Sequence, residues 1–347
     1  MNKNIFSCLL VITTFNLIVK AQNEPFEFEY KGVTLDGVLN RTSQSNTKGL
    51  VLIIHGSGKT DAVAKDYYKD IRKTLSNSGY STLMWDKMGC GKSGGAFDYY
   101  QSIEDSAAEA IAAINTLKKQ NIPGSHAVGL WGISRAGWVN PTIINAYGDI
   151  KFWISVSGVY ARENFNYLLE QNLLLEDLPK DSIDLILHEW AQGNRIVHSG
   201  GSFEAAQAAT IHLRQNGFMQ RFNDGRQITK KQYKDFQKRF MDVSFDTTTG
   251  QQIYVANFEA LLSQVNCPVL AIFGEKDKNV DWRRTKTLYE KTLGANTNLT
   301  IKTFPNANHN LFKAKTGGFY ELEDEKSPYE HPEGYLATIS DWLKELN

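Results

Sequence analysis

Residues 50–54 read Leu-Val-Leu-Ile-Ile, an unbroken apolar run. Successive side chains of a strand point to opposite faces, so such a run is stable as a strand only if both faces are covered. This calls for a parallel sheet with helices above and below it. The rest of the order agrees. An opening hairpin is predicted from the alternation Phe26-Glu27-Phe28-Glu29-Tyr30, then Gly32 and the residues 33–39. Apolar strands are expected at 80–85, 126–131, 152–156, 268–273 and 299–304, with helical periodicity at 67–78, 135–147, 282–293 and 332–346. A further helix opens at Ser102, where Asp105 sits as in a capping box, and carries Ile103, Ala107, Ala110, Ile111, Ile114 and Leu117 on one face. Strands alternating with helices make this an α/β chain with a mostly parallel, doubly wound sheet behind an N-terminal antiparallel hairpin.

The alternation stops between residues 160 and 264, where strand signals are few and helices are expected at 166–175, 182–197, 203–215 and 229–240. This block is read as an inserted helical cap on a core made of residues 22–159 and 265–347. Residues 1–21 read as a signal peptide: Lys3, an apolar stretch from Ile5 to Val19 interrupted by Thr13, Thr14 and Asn16, and Val19-Lys20-Ala21 as a cleavage site before Gln22. The stretch falls short of the roughly 20 apolar residues that a membrane span needs. The expectation is therefore a secreted or periplasmic protein with no stable span in its mature form, a retained anchor being the alternative. Cys8 lies within the apolar stretch rather than just after it, which argues against a lipoprotein.

Lysine plus arginine and aspartate plus glutamate number 38 each, so the formal net charge is zero. A nucleic-acid partner normally demands a basic excess. The densest basic stretch, Lys230, Lys231, Lys234, Lys238 and Arg239, alternates with Tyr233, Asp235 and Phe236 and reads as a solvated helix face. The mature chain keeps Cys90 and Cys267, in different loops, without the spacing of a disulfide framework or a zinc site. Neither a cofactor nor a metal is expected.

One short motif carries chemistry. The strand at 126–131 runs into Gly132-Ile133-Ser134-Arg135-Ala136-Gly137 and then a helix. A serine at the apex of a strand–turn–helix needs small residues two positions to either side, because strand and helix approach closely there. Gly132 supplies one; Ala136 replaces the usual second glycine, and Gly137 follows it. Four more segments accompany the motif: Ile53-Ile54-His55-Gly56-Ser57-Gly58, Asp86-Lys87-Met88-Gly89-Cys90-Gly91-Lys92-Ser93, Phe273-Gly274-Glu275-Lys276-Asp277 and Phe304-Pro305-Asn306-Ala307-Asn308-His309. Together, in this order, they resemble the α/β-hydrolase family over most of the mature chain. The order Ser…Asp…His is the one used by that fold.

The resemblance implies a triad of Ser134, Asp277 and His309. A serine hydroxyl needs an adjacent base to attack; His309 would supply it, and Asp277 would hold the imidazole tautomer. Glu275 and Asp281 stay open as alternative acids. The resemblance also implies an oxyanion hole made by the backbone N–H groups of Ser57 and Arg135. His55 reads as structural, and Asp86 and Ser93 as fixing their loop. Trp138, Trp153 and Trp190 are candidates for an acyl pocket. His126, His188, His198, His212 and His331 stand in no motif.

Gly58-Lys59-Thr60 and Gly91-Lys92-Ser93 mimic the end of a phosphate loop, but the first glycine of that pattern falls at Ile53 and Asp86, so neither loop wraps a phosphate. The expected partner is a small ester or acyl substrate, with hydrolysis through an acyl-enzyme. Family members with this triad also cleave thioesters, peptides and amides, which are the alternatives. A non-catalytic binding protein of the same fold is the rival from another class. A serine at the apex argues against dehalogenases and epoxide hydrolases, which use aspartate there.

Overall fold

In the computed structural model, which describes residues 23–346 apart from 43, 45, 163 and 296, the apolar run at 50–54 lies inside an eight-stranded sheet. The leader expected at 1–21 lies outside the described residues. In chain order the strands are β1 (Asn23–Tyr30), β2 (Val33–Asn40), β3 (Gly49–Ile54), β4 (Tyr80–Trp85), β5 (Val128–Ile133), β6 (Ile150–Val156), β7 (Phe245–Asp246), β8 (Gln251–Gln252), β9 (Val269–Gly274) and β10 (Leu299–Phe304). The sheet order is β1-β2-β4-β3-β5-β6-β9-β10, while β7 and β8 form a separate ribbon. β1 and β2 pair antiparallel, as do β2 and β4. The remaining neighbours run parallel. The β1–β2 turn is built by Lys31 and Gly32, both at positive φ (51° and 73°), as a two-residue hairpin with native twist requires.

The helices are α1 (Lys69–Asn77), α2 (Ile103–Lys119), α3 (Ala136–Tyr147), α4 (Phe165–Leu175), α5 (Lys180–His198), α6 (Phe203–Ala209), α7 (Ile211–Gln215), α8 (Gly217–Phe222), α9 (Lys230–Phe240), α10 (Phe258–Ser263), α11 (Trp282–Thr292), α12 (Glu321–Asp324) and α13 (Tyr335–Glu345). The strand β3 explains why the run at 50–54 has no polar member. Leu50, Leu52 and Ile54 face the apolar cluster of α2, α3 and α11, whereas Val51 and Ile53 face that of α1 and α13. Each such side chain, taken fully from water, contributes roughly 1.5–3 kcal/mol. Ser102 caps α2 by accepting the Asp105 N–H at 3.0 Å.

The block between β6 and β9 builds apolar clusters of its own. One joins Leu169 and Leu173 of α4 to Ile183 and Ile186 of α5, Leu213 of α7 and Phe218 of α8. Another joins Val197, Ala206, Tyr233 and Phe240. Beyond shifts at element ends and the short β7, β8, α8 and α12, which the sequence reading does not include, three details differ from it. The helix expected over 203–215 is two, because Thr210 takes a non-helical φ of −130° and ψ of 36°. The strand expected at 126–131 runs two residues later, since Gly124 at φ 90° and the Ala127 N–H to Gly124 carbonyl bond keep the approach in a turn. Inside the stretch 160–264, α10 sends Phe258 and Leu262 into the main core rather than into the clusters of the helical block.

Candidate active site

Ser134 stands between the last residue of β5 and the first of α3 at a φ of 56°. A side-chain-bearing residue in the left-handed region costs of order 1–3 kcal/mol, and such strain survives only when its surroundings enforce it. Here the Ser134 N–H donates to the Val156 carbonyl at 3.0 Å, and its own carbonyl accepts from the Gly137 N–H at 2.7 Å. The small residues around it are a packing necessity. A Cβ on Gly132 would lie 2.6 Å from the Ala136 Cβ, and one on Gly137 would lie 2.8 Å from the Val159 nitrogen. Ala136 is tolerated because the space it fills is the space that Gly132 leaves.

His309 follows β10 and Asp277 follows β9, at the carboxyl ends of adjacent strands. The His309 Nδ1 lies 2.7 Å from Asp277 Oδ2. A carboxylate only accepts, so Nδ1 carries the proton and Nε2 is left with a free lone pair. The other oxygen, Asp277 Oδ1, accepts the N–H groups of Asn279 and Val280 at 2.8 and 2.9 Å. Both groups are buried, Asp277 at 2% and His309 at 8% exposure. The two alternative acids are engaged elsewhere. Glu275 accepts from Thr303 Oγ1 at 2.7 Å, and Asp281 caps α11 and pairs with Arg284.

A residue with no motif links the histidine to the serine. Ser157, at a φ of 46°, donates its hydroxyl to the His309 carbonyl at 2.6 Å. The residue before it, Val156, holds the Ser134 N–H. The end of β6 thus braces both loops.

Ser57 follows β3 beside the serine: a Cβ on Gly56 would lie 3.4 Å from the Ser134 Cβ. Arg135 is the N-cap residue of α3, so its N–H sits at the positive end of the helix dipole. Among the described residues, neither the Ser57 nor the Arg135 N–H has a protein acceptor. The Arg135 side chain is tied down: Nη1 donates to Ser106 Oγ at 3.0 Å and Nη2 to the Gln101 carbonyl at 2.5 Å. Lys87, given no role by the sequence reading, donates its Nζ to the carbonyls of Gly56 at 2.6 Å and Gly58 at 2.8 Å.

His55 is buried, donates Nε2–H to the Trp85 carbonyl at 2.6 Å and is pushed down to about 3 by burial, so it stays neutral and structural. The 86–93 loop is likewise a frame. Asp86 accepts the Val63 and Lys92 N–H groups, and Ser93 donates to the Asp86 carbonyl while accepting the Asp36 N–H. Gly91 is obligatory there, at a φ of 51° and with a Cβ that would fall 1.8 Å from Asp86 Oδ2. The first phosphate-loop mimic ends at Thr60, well short of α1 at Lys69, so it opens no helix. Cys90 and Cys267 are free and buried, and burial raises the Cys267 thiol to about 12.

A cavity of about 790 Å³ opens beside Ser57 and Arg135. Its lining includes Lys87 and Trp138 of the core, Tyr99 and Tyr100 of the loop before α2, and Arg239 and Tyr254 from the inserted block. The block is latched across it by an Arg239–Asp98 ion pair at 2.6 Å and by Phe236 against Tyr100, with ring centroids 5.2 Å apart. The basic face of α9 is therefore solvated except where Arg239 reaches the core. Of the three tryptophans, only Trp138 lines the cavity. Trp153 is buried in the main core, and Trp190 packs on Phe165 within the helical block. Among the described residues no cluster of His, Cys, Asp and Glu could hold a metal ion, and no helix is long and apolar enough to cross a membrane.

A model of the hydrolase family described as serine aminopeptidase, S33, matches residues 45–315. Comparison with curated proteins gave no match. Solved structures similar in fold include an esterase from Pyrococcus furiosus, 16% identical, with a TM-score of 0.56 over 97% of this chain and 96% of that one. Est1E from Butyrivibrio proteoclasticus with ferulic acid bound is 17% identical, with a TM-score of 0.52 over 92% of this chain and 96% of that one. A proline iminopeptidase from Mycobacterium smegmatis is 14% identical, with a TM-score of 0.52 over 93% of this chain and 98% of that one.

Proposed function

Since the chain belongs to the serine aminopeptidase S33 family of α/β hydrolases, we propose that it is a serine hydrolase that cleaves a carboxylic ester through an acyl-enzyme. The observation that carries this reading is the buried 2.7 Å contact of His309 Nδ1 with Asp277 Oδ2, braced through β6 to a serine in a strained turn. His309 Nε2 takes the proton as Ser134 Oγ attacks the carbonyl carbon, and Asp277 stabilises the imidazolium that results. The oxyanion is met by the Ser57 and Arg135 N–H groups. His309 then returns the proton to the leaving alcohol. Water repeats the attack on the acyl-enzyme and frees the acid, so the enzyme ends as it began.

An aminopeptidase reading has one feature behind it besides the family description. Glu104 lines the cavity without an ion-pair partner among the described residues, where a free α-ammonium could sit. Hydrolysis of a p-nitrophenyl acyl series, acetate to laurate, set beside aminoacyl p-nitroanilides, separates the two. Turnover of the esters that exceeds that of the anilides by more than their intrinsic reactivity supports the esterase. Anilide turnover with inert esters overturns it in favour of the peptidase. We further propose that residues 1–21 are a cleaved leader and that the mature protein works outside the cytoplasm. N-terminal sequencing of the protein from its native source should begin at Gln22; a start within the first few residues sinks this.

A further inference from the structure

We propose that Lys87 is a positioning residue of the oxyanion hole, gripping the peptide unit that presents the Ser57 N–H. The inference rests on the reading of Ser134 as nucleophile and of Ser57 as an oxyanion donor. The Gly56 carbonyl and the Ser57 N–H belong to one planar peptide unit and, in the trans form, point in opposite directions. Whatever holds that carbonyl therefore aims that N–H. Lys87 Nζ holds it at 2.6 Å and takes the Gly58 carbonyl, on the other side of Ser57, at 2.8 Å. With its own carbonyl pinned, and the Gly58 carbonyl beyond Ser57 held by the same ammonium, the Gly56–Ser57 plane cannot rotate without breaking a charge-assisted bond, the stronger kind of hydrogen bond.

The charge itself has a second effect. An ammonium on the carbonyl oxygen draws electron density from the amide, and hydrogen bonds in series strengthen one another in a low-dielectric site. The Ser57 N–H becomes a better donor at the moment negative charge develops on the substrate oxygen. A neutral amide side chain could tie the same loop but would lack this polarisation. Keeping a lysine there is costly: burial first, and repulsion from Arg135 second, lower its pKa to about 8. Facing it are Arg135 at the start of α3, Glu109 on α2, Cys90 in its own loop and His55 at the end of β3. Glu109 favours its charge, but the Glu109 oxygens are held by Trp85 Nε1 at 2.7 Å and Gln101 Nε2 at 3.0 Å. As pH rises through about 8 the ammonium deprotonates. The expected sign is a kcat that falls on the alkaline side.

The test uses the mature protein and its Lys87→Met, Lys87→Arg and Ser134→Ala variants, with a p-nitrophenyl ester read from pH 6 to 10. Lys87→Met should lower kcat at pH 7 by about 10–100-fold, somewhat less than deletion of a whole oxyanion donor. KM should stay within about twofold, because the contact strengthens in the transition state. Lys87→Arg, which stays charged, should keep more of kcat than Lys87→Met and lose the alkaline fall near pH 8. A wild-type kcat in Lys87→Met, or an alkaline fall that persists unchanged in Lys87→Arg, overturns the proposal. Should Lys87→Met not fold, the Lys87→Arg profile alone decides. If Ser134→Ala stays active, the reading of the whole site falls; if it is dead while Lys87→Met turns over normally, only the role of Lys87 falls.

Discussion

Ser134→Ala should lower kcat for ester hydrolysis by about 10⁶-fold, to the residue left by binding and the oxyanion donors. It should leave the fold in place. On the proposed reading the hydroxyl is the atom that bonds to the acyl carbon, and without it no acyl-enzyme would form. The turn, by contrast, is held by main-chain atoms: the Ser134 N–H on Val156 and the Gly137 N–H on the Ser134 carbonyl. Alanine at a φ of 56° is about as strained as serine, and the position is half-buried, so no large cavity opens. Melting by circular dichroism should therefore stay within a few degrees of the parent. Covalent labelling by a fluorophosphonate should vanish with the activity. A variant that melts normally, keeps a tenth of the rate and still takes the label would move the nucleophile to another residue. A variant that fails to fold would show that the hydroxyl bears on the turn in a way its backbone bonds do not express.

Much of this arrangement is legible in the sequence because it is written in residue types at fixed spacing. The apolar run at 50–54 demands two covered faces, and the clusters on either side of β3 supply them. Gly132 announces the close approach of β5 and α3, Gly137 that of α3 and the chain after β6, and Ala136 weakens the motif without breaking the geometry. What is illegible depends on reach. Glu275, Asp277 and Asp281 lie within one short loop and helix start, and residue type alone does not say which of them turns toward a histidine 32 residues beyond Asp277, so the choice of Asp277 rests on the family resemblance. Lys87 and Ser157 act on main-chain carbonyls. A carbonyl is present at every position, so such partners leave no signature in residue types. Arg239 looks like its solvated neighbours because its partner Asp98 is 141 residues away. The stretch 203–215 reads as one helix because a break at Thr210 involves no glycine or proline. The six residues of α10 are too few for periodicity to separate them from the helical block.

The choice among the three acids yields the second large effect. Asp277→Asn should lower kcat at neutral pH by about 10⁴-fold, the scale expected when a triad imidazole is forced into the wrong tautomer. The reason lies in the crowding around the carboxyl group. Asp277 Oδ1 already accepts two N–H groups, from Asn279 and Val280. In asparagine the amide oxygen is the only atom that can stay there, so the NH₂ must face His309 Nδ1. Two donors then meet at the distance now spanned by one bond, 2.7 Å. The conflict is relieved if the imidazole moves its proton to Nε2, and that removes the lone pair that would take the serine proton. Glu275→Gln carries no such conflict. Its carboxylate accepts from Thr303 Oγ1 at 2.7 Å, and an amide oxygen can accept there equally well. The expected change in kcat is less than about threefold, with the melting temperature as control for both variants. If Glu275→Gln proves the more damaging of the two in folded protein, the orienting acid is not Asp277, and the short buried contact with His309 is serving stability rather than catalysis.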